Sequence, residues 1–189
     1  EREVFASAVD GIIVMRMGAA RRGALTLRLG LTSLQARSVH ASDSGVLKVN
    51  GHNRSAEAVS GALTFASELR VRADGKVTVQ DDLLEVVDAT EVVILVDIAT
   101  NYRRFDDLTG DPEALVAARL DAAAKRSVDE LRQRHVADHR SQFDRLHIDL
   151  GSSPAEAIAT DKRIAANVAT GDSALAALYV QYGRYLMLA

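Results

Sequence analysis

The chain has 189 residues, 48% of them apolar and 26% charged, an ordinary globular composition that can bury one core or two small ones. Asp and Glu total 26 against 23 Lys and Arg, and the net charge of -3 with no long run of one sign argues against a nucleic-acid partner. Cysteine is absent, which excludes disulfides, thiol nucleophiles and thiolate metal sites, and no apolar stretch approaches the roughly 18 to 20 residues that span a bilayer, the longest, 92–99, being broken by Asp97.

No initiating Met or signal-peptide pattern is present, and Glu1-Arg-Glu-Val-Phe5 already reads as a strand, so an upstream segment is expected to have been removed. Eight of the twelve glycines lie at or before Gly75 while both prolines, Pro112 and Pro154, come later, a contrast that predicts two architectures. In 24–31, Leu25, Leu27, Leu29 and Leu31 share one face and Thr26, Arg28 and Gly30 the other, the period of a half-buried strand. Residues 63–72 alternate likewise, with Leu63, Phe65, Leu69 and Val71 against Thr64, Glu68, Arg70 and Arg72. Asp74-Gly75 follows, a pair that tolerates tight-turn geometry, so 76–80 is expected to return as the hairpin partner of 63–72. Shorter strands are expected at 12–17, 46–50 and 83–87. Residues 92–96, apolar in succession, predict a central strand covered on both faces, as in stacked sheets. Residues 1 to about 100 therefore read as an antiparallel sandwich.

The period changes after Tyr102. Asp111 can cap a helix with Pro112 at its first position and Glu113 complementing its positive end, running to about Arg126. Ser127 and Glu130 have capping-box form, starting a second helix over 128–146 with a buried stripe of Val128, Leu131, His135, His139, Phe143 and Leu146. A short extended piece, His147 to Leu150, ends at Gly151. A helix over 160–169 stops at Gly171, and another begins near Asp172 or Ser173, with Leu175, Leu178, Tyr179, Tyr182 and Leu186 as its stripe and no stop signal before Ala189, as though cut inside a helix.

Chemistry-bearing residues are sparse. His135 and His139 stand one helical turn apart, a zinc-like spacing, but Val136 and Asp138 occupy the positions where the two zinc-protease forms need Glu, and no third ligand is identifiable; packing is the better reading. Gly18-Ala-Ala-Arg-Arg-Gly23 has a phosphate-loop outline without the following Lys and Ser/Thr, and reads as a turn. Asn53-Arg-Ser55 is a glycosylation sequon best read as a polar loop. Glycoside hydrolysis wants two carboxyls facing across a sugar, whereas Asp81-Asp82 and Asp106-Asp107 are adjacent in turns, and Asp121 and Asp129 sit on solvated helix faces. Tyr179, Tyr182 and Tyr185 share helical spacing and read as core packing. The sandwich has no Trp and only Phe5 and Phe65, few aromatic platforms for a sugar.

Several stretches, in order, resemble glycoside hydrolase family 95, the family of α-L-fucosidases and some α-L-galactosidases. They are Arg2-Glu-Val-Phe-Ala-Ser-Ala8, Leu69-Arg-Val-Arg-Ala-Asp-Gly75, Ala99-Thr-Asn-Tyr102 leading to Gly110-Asp-Pro112, His135-Val-Ala-Asp-His139 with Phe143-Asp-Arg145, Asp149-Leu-Gly151, and the run Leu175 to Leu186. The resemblance implies an α+β chain: an antiparallel β-sandwich portion (supersandwich-like) over 1–104, an α-helical linker over 105–152, and the start of an (α/α)6 catalytic barrel over 153–189. It implies a parent enzyme that hydrolyses terminal α-L-fucosides of glycans with inversion, its partners being a fucosylated oligosaccharide and the remainder of its own barrel, with export expected. The family's general-acid Glu and its water-positioning Asn and Asp match no residue here, so no catalytic, cofactor-binding or metal-binding residue is assigned. A family 65-type phosphorylase or hydrolase, and a non-catalytic carbohydrate-binding or scaffolding module, are the alternatives.

Overall fold

A computed structural model describes residues 1–188, the side chains of Ala36 and Thr170 excepted. Ala189, where the reading above places a cut inside a helix, lies outside the described residues. The chain divides into two compact units, Glu1–His135 and the residues from Val136 onward.

The first unit holds nine strands: β1 (Arg2–Ser7), β2 (Ile12–Gly18), β3 (Leu25–Leu29), β4 (Ala36–Ser42), β5 (Val46–His52), β6 (Thr64–Ala73), β7 (Lys76–Gln80), β8 (Leu83–Ala89) and β9 (Glu91–Thr100). They form a six-stranded sheet, β1-β2-β9-β6-β5-β4, and a three-stranded sheet, β3-β8-β7, both antiparallel. β4 is the strand that periodicity misses. It forms an edge, and among its described side chains Val39 and Ala41 are the apolar ones that pack inward, too few for an alternating signature.

Residues 76–80 do form a strand, but they do not return along 63–72. β6 lies between β5 and β9, whereas β7 pairs with β8 in the other sheet. Asp74-Gly75 is thus a crossing between sheets. The Asp74 carboxylate accepts from the backbone N–H groups of Glu91 (2.9 Å) and Thr90 (2.7 Å), which hold its carboxyl pKa below the ordinary carboxylate range and pin the crossing to the β8–β9 corner. At Gly75 a Cβ would stand 2.4 Å from the Val87 carbonyl oxygen, so only glycine lets the two backbones approach this closely. The tight turn of this region is instead Asp81-Asp82 between β7 and β8, with φ of +50° and +60°.

β9 is central and covered on both faces, as its unbroken apolar run requires, but by different partners. Val92 and Ile94 join Leu47, Leu69, Leu84 and Val86 between the two sheets. Val93 and Leu95 point the other way, against helix α1 (Pro112–Ala124), with Ile12, Val14, Val116, Leu120 and Leu131. The second cover is therefore a helix and not a sheet.

Local signals start both helices. The Asp111 side chain accepts from Ala114 N at 3.0 Å with Pro112 in the first turn. Ser127 and Glu130 close a reciprocal capping box, 3.2 Å from Glu130 N to Ser127 Oγ and 2.7 Å from Ser127 N to Glu130 Oε2, at the start of α2 (Val128–Phe143). Leu131 is fully buried in the first unit.

In the second unit α2 ends at Phe143, three residues short of the expected stop, and Leu146 is exposed. The cause is distant in sequence. The Arg184 guanidinium donates to the carbonyls of Phe143 (2.8 Å) and Leu146, satisfying acceptors that another helical turn would have used, and its carbon lies 4.9 Å from the Phe143 ring centre. Residues 147–150 are irregular, not a strand. A 3-10 turn at Pro154–Ala157, with its own Ser153–Glu156 capping box, leads to α3 (Thr160–Thr170) and α4 (Ser173–Leu188). Gly171, at φ +59°, ends α3 in the left-handed conformation that favours glycine.

Candidate functional site

Two carboxylates that sequence reading passes over are buried opposite one another. Glu68 on β6 and Asp97 on β9 are register partners, 4% and 6% exposed, on the sheet face beneath α1. Glu68 is fully compensated: Lys48 Nζ lies 3.3 Å from one oxygen and Arg70 Nε donates to the other, while Arg70 also reaches Asp121 at 2.6 Å and holds its carboxyl below the ordinary range. Asp97 is not. Its Oδ1 accepts from Ile98 N at 2.7 Å with Arg119 3.6 Å away, and its Oδ2 has no hydrogen-bond partner among the described residues. Burial pushes the Asp97 carboxyl above its ordinary value.

A buried carboxyl with a raised pKa beside a second carboxyl is a pattern that general-acid catalysis uses. Here it has no substrate. The cavity lined by Glu68, Lys48, Asn50 and Glu113 has a volume of about 10 Å³, room for a water and not for a sugar. The pair is structural, and its sequence signal is one charge in each of two long strands.

A stability consequence follows. Asp97 binds its proton more tightly folded than unfolded, so its contribution favours folding at low pH and is lost as pH rises from the ordinary 3.8 through the raised value. Asp97→Asn removes the ionisation while keeping an oxygen for Ile98 N. Its melting temperature is expected to exceed that of the wild type at pH 7 and to match it near pH 3; a lower value at pH 7 would refute this account.

The two histidines stack on different partners. His135 lies against Phe5, ring centres 5.3 Å apart. His139 stacks on Phe143 at 5.2 Å and meets Tyr185 at 5.5 Å, with its Nε2 buried and unpartnered. Neither the Gly18–Gly23 turn nor Asn53 frames a pocket: Ala19 N and Gly23 N bond to Thr90, and Asn53 Oδ1 accepts from Leu63 N. Asp107 accepts from the amide and hydroxyl of Thr109, which hold its carboxyl below the ordinary range. Asp106 pairs with Arg104 at 2.9 Å, so the adjacent acids complete a turn.

A wide concavity lies in the second unit, a groove of about 690 Å³ lined by Ile164, Leu175, Leu178, Tyr179 and Tyr182 together with Thr160 and Asn167. Its size suits a ligand or a helix, but no carboxylate lines it. Tyr179, Tyr182 and Tyr185 are 77%, 56% and 47% exposed, so within the described residues they do not pack as core. The helices that form the groove are aligned by another buried pair that sequence reading did not single out. Arg163 on α3 forks onto Asp172, Nε to Oδ2 at 2.9 Å and Nη2 to Oδ1 at 3.1 Å, and Asp172 also accepts from Leu175 N, capping α4. The Arg163 guanidinium holds the Asp172 carboxyl down to about 2.

Comparison with known proteins also divides the chain in two, at positions that differ from the boundary between the compact units. The model of the glycosyl hydrolase family 65 N-terminal domain matches residues 1–104, and that of the glycosyl hydrolase family 95 catalytic domain matches residues 127–189. Among curated proteins, Alpha-L-fucosidase 2 of Arabidopsis thaliana is 28% identical over 219 aligned positions that include 99% of this chain. The chain spans about a quarter (26%) of that relative's length.

Proposed function

The chain belongs to the glycosyl hydrolases, with a family 65 N-terminal domain over residues 1–104 followed by family 95-like sequence over 127–189, and from that premise we propose that the protein carrying it removes terminal α-L-fucosyl groups from glycans with inversion. In this reading residues 1–104 are the accessory sandwich, 105–152 the helical linker and 153–189 part of the catalytic (α/α)6 barrel. The supporting observation is that the family 95 match covers helices whose apolar groove of about 690 Å³ is lined by no acid, while the cavity beside buried Glu68 in the sandwich holds only about 10 Å³. Inverting hydrolysis needs an acid on the leaving oxygen and a base for water on the opposite face, roughly 6.5 to 9.5 Å apart. Both therefore belong to parts of the protein outside these residues, and the groove is a packing surface for further barrel helices.

The family 65 match over the sandwich favours one other reading, a phosphorylase. Both are tested by incubating the full-length protein with a 2'-fucosylated oligosaccharide and following the products by proton NMR. Hydrolysis with inversion releases β-L-fucose first and proceeds without phosphate; a fucosyl phosphate formed only when phosphate is added establishes phosphorolysis. The 189-residue chain alone is expected to turn over neither substrate, and turnover comparable with the full-length protein would refute the assignment.

A further inference from the structure

A second concavity, in the first unit, has a different chemistry. It lies between the β1–β2 turn and the C-terminal half of α1, with a volume of about 280 Å³. Small residues, Ala118 and Ala122 among them, give it room, and Arg119, Arg126 and Arg134 line it.

Each arginine is positioned by one or two contacts and leaves donors to spare. The Asp10 side chain is 4% exposed and accepts from Ser7 Oγ at 2.9 Å. Arg134 Nε bridges both Asp10 oxygens, at 3.0 and 3.3 Å, so its two terminal nitrogens bond to nothing among the described residues. Arg126 Nη1 donates to the Ala122 carbonyl at 2.8 Å and stands 4.0 Å from the same Asp10 oxygen that Arg134 holds. Arg119 rests on Gly11, where a Cβ would stand 3.0 Å from its Nε, and the Asp97 carboxyl is 3.6 Å away.

Two guanidinium groups thus converge on one carboxylate that is already satisfied, and a third lines the same cleft. Like charges held this close repel unless something answers them. The side chains are 36–41% exposed, so a solute can reach them. Planar forks with unused N–H groups match an oxyanion, which accepts two bonds from each.

We propose that this cleft is an oxyanion-binding site, taking the phosphate, sulfate or carboxylate group of a small ligand or an acidic saccharide. The site is independent of the fucosidase reading, since it lies in the sandwich unit and its occupancy is read by binding and not by turnover.

The full-length protein should be titrated calorimetrically with sodium phosphate and with digalacturonate, at constant ionic strength, with lactose as the uncharged control. Saturable one-to-one binding of at least one anion is expected, with none of lactose. Arg119→Gln/Arg126→Gln should weaken it about tenfold or more; because Arg119 also stands 3.6 Å from buried Asp97 and Arg126 donates to the Ala122 carbonyl, the affinities are compared at a temperature where each variant is folded by circular dichroism. Arg119→Lys/Arg126→Lys, which keeps charge but not the fork, should fall between the two. Tighter binding of digalacturonate assigns the site to a saccharide carboxylate, and tighter binding of phosphate to a free phosphate group. No saturable binding, or affinity unchanged in the glutamine variant, would overturn the proposal.

Discussion

Leu120→Ala is expected to lower the unfolding free energy of the first unit by about 2 to 5 kcal/mol, the range for emptying a fully buried leucine site. Leu120 is 0% exposed and packs with Val116 and Leu131 from the two helices and Val93, Leu95, Ile12 and Val14 from the sheet. Truncation removes three carbons from the place where helix and sheet surfaces meet, and the backbones around it cannot collapse freely because β9 is clamped between β2 and β6. In urea titration the midpoint should fall with little change in slope, since the same surface is exposed on unfolding. A loss under about 1 kcal/mol would mean that α1 is a loosely attached cover and not part of the sandwich fold.

Asp172→Ala is expected to have the largest effect in the second unit. It strips the carboxylate from Arg163, 7% exposed, and the cap from α4 in one step. A buried guanidinium without its partner keeps its desolvation penalty and loses the attraction that offset it. Backbone amides of α3 and α4 should exchange about tenfold faster or more, while those of β6 and β9 are unchanged. The paired variant Arg163→Met/Asp172→Leu should be less damaging than Asp172→Ala, because it removes both charges together. The pH dependence has a definite sign. The folded carboxyl is depressed to about 2 from 3.8, so the pair's contribution is complete above pH 3.8 and is lost as pH falls through 2. Protection of α3 and α4 should therefore persist to pH 4 and fail between 4 and 2. Loss already at pH 5 would count against the pair as their anchor.

Much of the secondary structure was legible because its signals are local. Asp111-Pro112, Ser127 with Glu130, and Gly171 act on backbone groups one to four residues away, and the structure places helix ends at each. The unbroken apolar run of β9 likewise required cover on both faces whatever supplied it. For the candidate site the reading was limited by the chain itself. Adjacent turn carboxylates and solvated helix acids offered no pair across a sugar, and the buried pair Glu68 and Asp97 left no more signal than one charge in each of two long strands.

What sequence alone determined, then, is where the helices start and, β4 apart, which segments of the first unit are strands, because hydrogen bonding within a turn and side-chain periodicity are properties of neighbouring residues. Only the tertiary structure decided which strand β7 pairs with, what covers the second face of β9, and which charges are buried. Those outcomes rest on contacts far apart in the chain, such as Arg134 with Asp10 across 124 positions and Arg70 with Asp121 across 51. Glu68 and Asp97 show the physical reason most clearly. The alternating pattern of β6 assigned Glu68 to a solvent face, but a sheet face is wet only until another element lies on it, and α1 turns that polar side into an interior where each charge needs a partner.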